Sequence, residues 1–81
     1  MIRYNGITLA VGTRLPGLLP STWWAGERPD KSGYLGKADP SKVRAYVDYI
    51  HPMERYVVVR FELPMQSFRE AFPVLKGELI V

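Results

Sequence analysis

The chain has 81 residues, 47% apolar and 12% aromatic, with eleven basic and eight acidic side chains that leave a net charge of +3. That length sets one domain, residues 1–81, near the lower limit of what a single hydrophobic core can hold together. There is no cysteine, so disulfides and thiolate metal sites are excluded and stability has to come from packing. No stretch has the length of a membrane-spanning helix. The start, Met1-Ile-Arg-Tyr-Asn-Gly6, lacks the apolar run of a signal peptide. The expectation is a cytoplasmic protein with no membrane segment. A sequence pI near 9.5 permits nucleic-acid binding without demanding it.

Asn5-Gly6 is the first strong local signal. Asn-Gly is the favoured centre of a two-residue type I′ hairpin turn, because both positions need positive φ. Ile2 and Tyr4 alternate before it, and Ile7, Leu9 and Val11 after it. A small hairpin ending at Gly12 is expected.

Residues 15–42 differ in kind. Pro16, Pro20, Pro29 and Pro40, with Gly17, Gly26, Gly33 and Gly36, break any long helix or central strand. Leu15, Leu18, Leu19, Trp23, Trp24, Tyr34 and Leu35 are too apolar for a solvated linker. The segment is expected to be a long loop that folds partly over a sheet, with one helical turn over 21–25 capped by Ser21.

Residues 40–50 fit two patterns. Asp39-Pro40 resembles a helix start, and Val43, Tyr46, Val47 and Ile50 would share a helical face. As a strand, Val43, Ala45, Val47 and Tyr49 share one face. β-Branched and aromatic content favours the strand. A turn, His51-Pro-Met-Glu-Arg55, and the run Tyr56-Val-Val-Val-Arg-Phe-Glu-Leu63 follow. Pairing Ile50 with Tyr56 across the turn sets Val47 opposite Val59, Ala45 opposite Phe61 and Val43 opposite Leu63. On the other face Arg44 meets Glu62 and Tyr46 meets Arg60, both favourable contacts.

Ser67 to Phe72 has a capping-box pattern, Ser67 with Glu70, that suits a helical turn stopped by Pro73. The preferred reading is a strand after a turn at 64–66, with Glu70 opposite Arg60. Leu75 to Val81 is expected to be a closing strand beside the N-terminal hairpin.

Gly36-Lys-Ala38, Val47-Asp-Tyr-Ile-His-Pro52, Arg55-Tyr-Val-Val-Val-Arg-Phe61 and Phe68-Arg-Glu-Ala-Phe72 resemble small SH3-like barrel proteins from phages and mobile elements of Gram-positive bacteria. Those carry a similar Tyr-Ile-His-Pro turn and Phe-Arg-Glu-x-Phe ending. The resemblance covers roughly the second half of the chain and leaves out the Trp-Trp loop. It implies a twisted barrel of about five strands and brings no chemistry to any residue. The fold class expected is therefore all-β: a small SH3-like barrel with a long Pro/Gly-rich loop.

Catalysis is disfavoured. His51, the single histidine, precedes proline in a turn and has no nucleophile or orienting partner in view. One histidine and scattered carboxylates make no transition-metal site, and the glycines lack phosphate-loop spacing. No cofactor is expected. Two binding surfaces compete. Trp23, Trp24 and Tyr34 in the loop would suit a protein partner, although tryptophans also plug barrel ends. Arg44, Tyr46, Tyr56 and Arg60 on one predicted sheet face have the basic-aromatic pattern of single-strand nucleic-acid binders. The plainer alternative is a self-paired face, with Asp48 and Glu62 cancelling the charge. The leading expectation is a non-enzymatic module for an unknown protein partner, as a phage or mobile-element accessory. The alternatives are a nucleic-acid binder and a homo-oligomer formed through an open strand edge.

Overall fold

The computed structural model describes residues 1–21, 42–63 and 66–81. The helical turn expected over 21–25, the Asp39-Pro40 start and the centre of the turn at 64–66 lie outside them. Among the described residues six strands form: β1 (Arg3–Tyr4), β2 (Ile7–Thr8), β3 (Arg44–Ile50), β4 (Tyr56–Glu62), β5 (Ser67–Leu75) and β6 (Glu78–Leu79). They build one curled, barrel-like sheet in the order β2-β1-β6-β5-β4-β3. These match the six segments that the residues themselves suggest, where the resemblance implied about five strands.

The N-terminal hairpin forms as the Asn-Gly pair dictates. Asn5 and Gly6 have φ of 50° and 81°, and Tyr4 pairs with Ile7 and Arg3 with Thr8. Val11, expected to continue the inward alternation, is instead exposed, because the chain leaves β2 there. The Gly12 N–H then donates to Val47 O at 2.7 Å, Val47 N–H to Thr13 O at 2.9 Å and Leu15 N–H to Ala45 O at 2.8 Å. Residues 9–15 thus run from one edge of the sheet to the other and hold it in its curl.

β3 and β4 pair in the expected register from Arg44 with Glu62 to Val47 with Val59. Beyond Val47 the ladder shifts, so that Tyr49 faces Val58 and Ile50 faces Val57, not Tyr56. Asp48 is the extra residue of a β-bulge. A one-residue slip turns every later side chain over. Tyr49, expected to face inward, is exposed, and Ile50 packs against the core instead. Burying isoleucine in place of a tyrosine hydroxyl is the physical gain.

Ser67 to Leu75 is a strand, and its register corrects a second expectation. Arg69, not Glu70, lies opposite Arg60, while Glu70 lies opposite Val59. The Leu63 N–H donates to Gln66 O at 2.8 Å, which closes the turn one residue tighter. This register sets Phe68 and Phe72 on the inner face, 5.7 Å and 6.0 Å from Phe61 between ring centroids. The alternative register would have turned both phenylalanines to solvent. Their burial, worth about 2 kcal/mol or more for a ring fully removed from water, outweighs an exposed Arg–Glu pair worth about 1 kcal/mol or less.

A second positive-φ turn, Lys76 at 53° and Gly77 at 78°, returns the chain into β6. β6 pairs antiparallel with β5 and parallel with β1, beside the N-terminal hairpin as expected. It is shorter than the expected Leu75 to Val81: Leu75 ends β5, Lys76 and Gly77 make the turn, and only Glu78–Leu79 is strand. The core on the inner face is Ile2, Leu9, Leu15, Leu18, Val43, Ala45, Val47, Val57, Val59, Phe61, Phe72 and Leu79. Leu15 and Leu18 carry the segment after Gly12 across this face, and the Ser21 N–H donates to Glu70 Oε1 at 3.1 Å on its far side.

Candidate partner interface

The outer face of the sheet divides along the strands into a charged end and an apolar end. At the charged end, β4 and β5 place Arg60 directly opposite Arg69. Like charges so placed repel. The bulge residue Asp48 resolves the conflict: its Oδ1 accepts from Arg60 Nη1 at 2.9 Å and its Oδ2 pairs with Arg69 Nε at 2.9 Å. Arg60 Nε also donates to Glu62 Oε2 at 3.0 Å. The Arg60 guanidinium lies 5.3 Å from the Tyr46 ring centroid, within cation–π reach. The Arg60 pKa is raised above the ordinary arginine value, first by the Glu62 hydrogen bond and then by the charges of Glu62 and Asp48 against a desolvation cost. Arg60 is therefore a fixed cation whose Nε and Nη1 are engaged within the sheet.

Of the four residues expected on a basic-aromatic face, the structure brings three together. Arg44, Tyr46 and Arg60 lie at the charged end, with Arg44 exposed and opposite Glu62. Tyr56 does not join them. It stands at the other end, its ring 6.1 Å from Tyr49 and 4.9 Å from His51. Trp23, Trp24 and Tyr34 lie outside the described residues.

His51 is held as a turn residue. Its Nδ1 accepts from the Met53 N–H at 3.0 Å, its own N–H donates to Tyr56 O at 3.1 Å, and its carbonyl accepts from the Glu54 N–H at 2.8 Å. Glu54 takes φ of 57° in the same turn, and its carboxylate meets the Met1 ammonium at 3.3 Å. The imidazole thus shapes the β3–β4 turn and supports the Tyr56 ring.

The apolar end is the feature that sequence reasoning missed. Tyr49, Val58 and Ala71 form one cross-strand row over β3, β4 and β5. Tyr56 and Pro73 start the next row, and the Ile80 N–H donates to Pro73 O at 2.9 Å, which extends it beyond β6. Tyr49 is 43% exposed, Tyr56 37%, Ile80 43% and Leu75, beyond them on β5, 61%. Pro73 is exposed as well. These residues come from β3, β4 and β5 and from Ile80 just after β6, across sequence positions 49 to 80, so no local pattern marks them. The signal available was the fate of Tyr49: once Ile50 is assigned to the core, Tyr49 must face outward beside Tyr56.

Among the described residues, no group of three or more His, Asp or Glu side chains is placed to hold a metal ion. None of their helices is long and apolar enough to cross a membrane. No family model, curated protein or solved structure matches this chain.

Proposed function

We propose that this protein is a non-enzymatic protein-interaction module that engages its partner through the apolar end of its outer sheet face. The supporting observation is the continuous exposed set Tyr49, Tyr56, Pro73, Leu75 and Ile80. Contiguous apolar surface on a small domain marks an interaction site, whereas single exposed apolar residues are ordinary. Tyrosines are strong interface anchors, since they add large rigid area and a polar tip. The barrel-like curl accords with the resemblance to SH3-like proteins of phages and mobile elements. Trp23, Trp24 and Tyr34 remain the second proposed contact region.

The nucleic-acid reading is weaker. A phosphate-binding surface needs basic groups free to replace counterions. Here Arg60 and Arg69 already meet Asp48, and Arg60 meets Glu62. The test is partner capture from the source cells with wild type and with Tyr56→Ser, Ile80→Ser, Trp23→Ala and Trp24→Ala. The proposal predicts that Tyr56→Ser and Ile80→Ser lose a specific partner while the fold is retained. Retention of that partner by both of these variants would reject the outer face as its site.

A further inference from the structure

Among the described residues, β5 is paired on one side along its length and on the other side only at its end. The Leu63 N–H meets Gln66 O, and the Val74 N–H meets Arg55 O. By the two-residue period of an antiparallel ladder, Phe68, Glu70 and Phe72 point their backbone groups toward β4. Ser67, Arg69, Ala71 and Pro73 point theirs the other way. On that side β6 pairs only with Val74 and Leu75, and Ile80 reaches Pro73 O. Among the described residues, nothing meets the N–H and C=O groups of Ser67, Arg69 and Ala71.

We infer that this edge of β5 takes up an extended segment of the partner protein as an added strand, alternating apolar residues toward the core with an acidic residue on the outer face. This rests on the protein-interaction reading above and deepens it. Strand addition draws affinity from main-chain hydrogen bonds and specificity from alternate side chains. The inward neighbours would be Phe68, Glu70 and Phe72; Glu70 Oε1 accepts from the Ser21 N–H, and the two phenylalanines favour apolar side chains beside them. Phe68 is only partly buried. The outward neighbours are Ser67, Arg69 and Ala71. Two are small. Arg69 meets Asp48 through Nε at 2.9 Å, but its side chain is 68% exposed and its terminal guanidinium N–H groups can still donate, so an acidic residue opposite it is favoured. A second copy of this chain fits worse. Antiparallel pairing of two β5 edges about a two-fold axis at Arg69 would set two Arg69 side chains face to face.

The probe is a short synthetic peptide alternating threonine and valine with aspartate at its central outward position. A second peptide carries lysine there. Backbone amide exchange is followed by NMR on the full chain. The Asp peptide should slow exchange at Ser67, Arg69 and Ala71 and bind about tenfold or more tightly than the Lys peptide, a difference of ~1.4 kcal/mol. Arg69→Glu should invert the preference. Ala71→Pro should abolish binding with the fold kept, since proline is tolerated where the N–H faces an edge and Pro73 already occupies the same alignment.

Four results overturn the inference. The three amides are already protected in the free chain at every concentration. Their protection rises with protein concentration, which means a second copy. The two peptides bind alike. Or binding leaves those amides unchanged. If Tyr56→Ser loses the cellular partner while Ala71→Pro and Arg69→Glu keep it, the interaction reading stands and strand addition fails.

Discussion

The two ends of the outer face share the same three strands and have opposite characters. At one end Arg60, Arg69, Asp48 and Glu62 satisfy one another, with Tyr46 lying against the Arg60 guanidinium. At the other, Tyr49, Tyr56, Pro73, Leu75 and Ile80 are exposed. The division lies beside Asp48, whose insertion into β3 turns Tyr49 outward and supplies the carboxylate between two arginines. A charged surface that is internally paired offers little to a ligand, because each contact must first be broken. An exposed apolar surface gains from any partner that removes it from water. The more conspicuous chemistry therefore lies at one end and the greater binding potential at the other.

Both ends depend on the inner face. Phe61 is fully buried and packs against Phe68 and Phe72. Phe61→Ala is expected to cost about 3–5 kcal/mol. A domain of this size has roughly 5 kcal/mol or little more to lose, so the variant should be largely unfolded by circular dichroism, and both surfaces should vanish with it. A next, smaller effect separates the ends. Tyr56→Ser should weaken partner binding about tenfold or more, as for an interface anchor, while urea unfolding shifts by ~1 kcal/mol or less. Tyr46→Ser at the charged end should leave binding unchanged.

Asp48→Ala tests the comparison from the other side. It removes the anion between Arg60 and Arg69 and leaves those two cations opposed. The loss of stability should be about 1 kcal/mol, from two partly exposed pairs and their mutual repulsion. The variant should also gain oligonucleotide affinity that falls with added salt, measured by fluorescence anisotropy against wild type. The smallest effect should come from Gly6→Ala. At φ of 81° an alanine is strained although open space surrounds the site, so a loss of ~1 kcal/mol in thermal unfolding is expected, with partner binding intact.

Much of the frame was legible in the sequence. Asn5-Gly6 announced its turn through backbone preference alone. The register from Arg44 to Val47 followed from apolar pairs on one face and compatible polar pairs on the other. What stayed hidden shared one cause. Alternation along a strand shows which residues share a face, but not where an extra residue breaks the pattern. Asp48 does so in β3, and the tight turn at Leu63 and Gln66 shifts β5 by one. In each case the core decided: Ile50 in place of Tyr49, and Phe68 with Phe72 in place of Arg69. The apolar end was invisible for a further reason, since Tyr56, Pro73 and Ile80 become neighbours only through cross-strand pairing. The charged end was partly legible, because Asp48 and Glu62 stood near Arg60 in any register.

The most direct test of the account places a photo-crosslinking amino acid at position 56 or at position 46 of the full chain in the source cells. The account predicts one discrete protein adduct from position 56, lost on adding Ile80→Ser, and none from position 46. An adduct from position 46 alone, equal adducts from both, or an adduct at 56 that survives Ile80→Ser would contradict it.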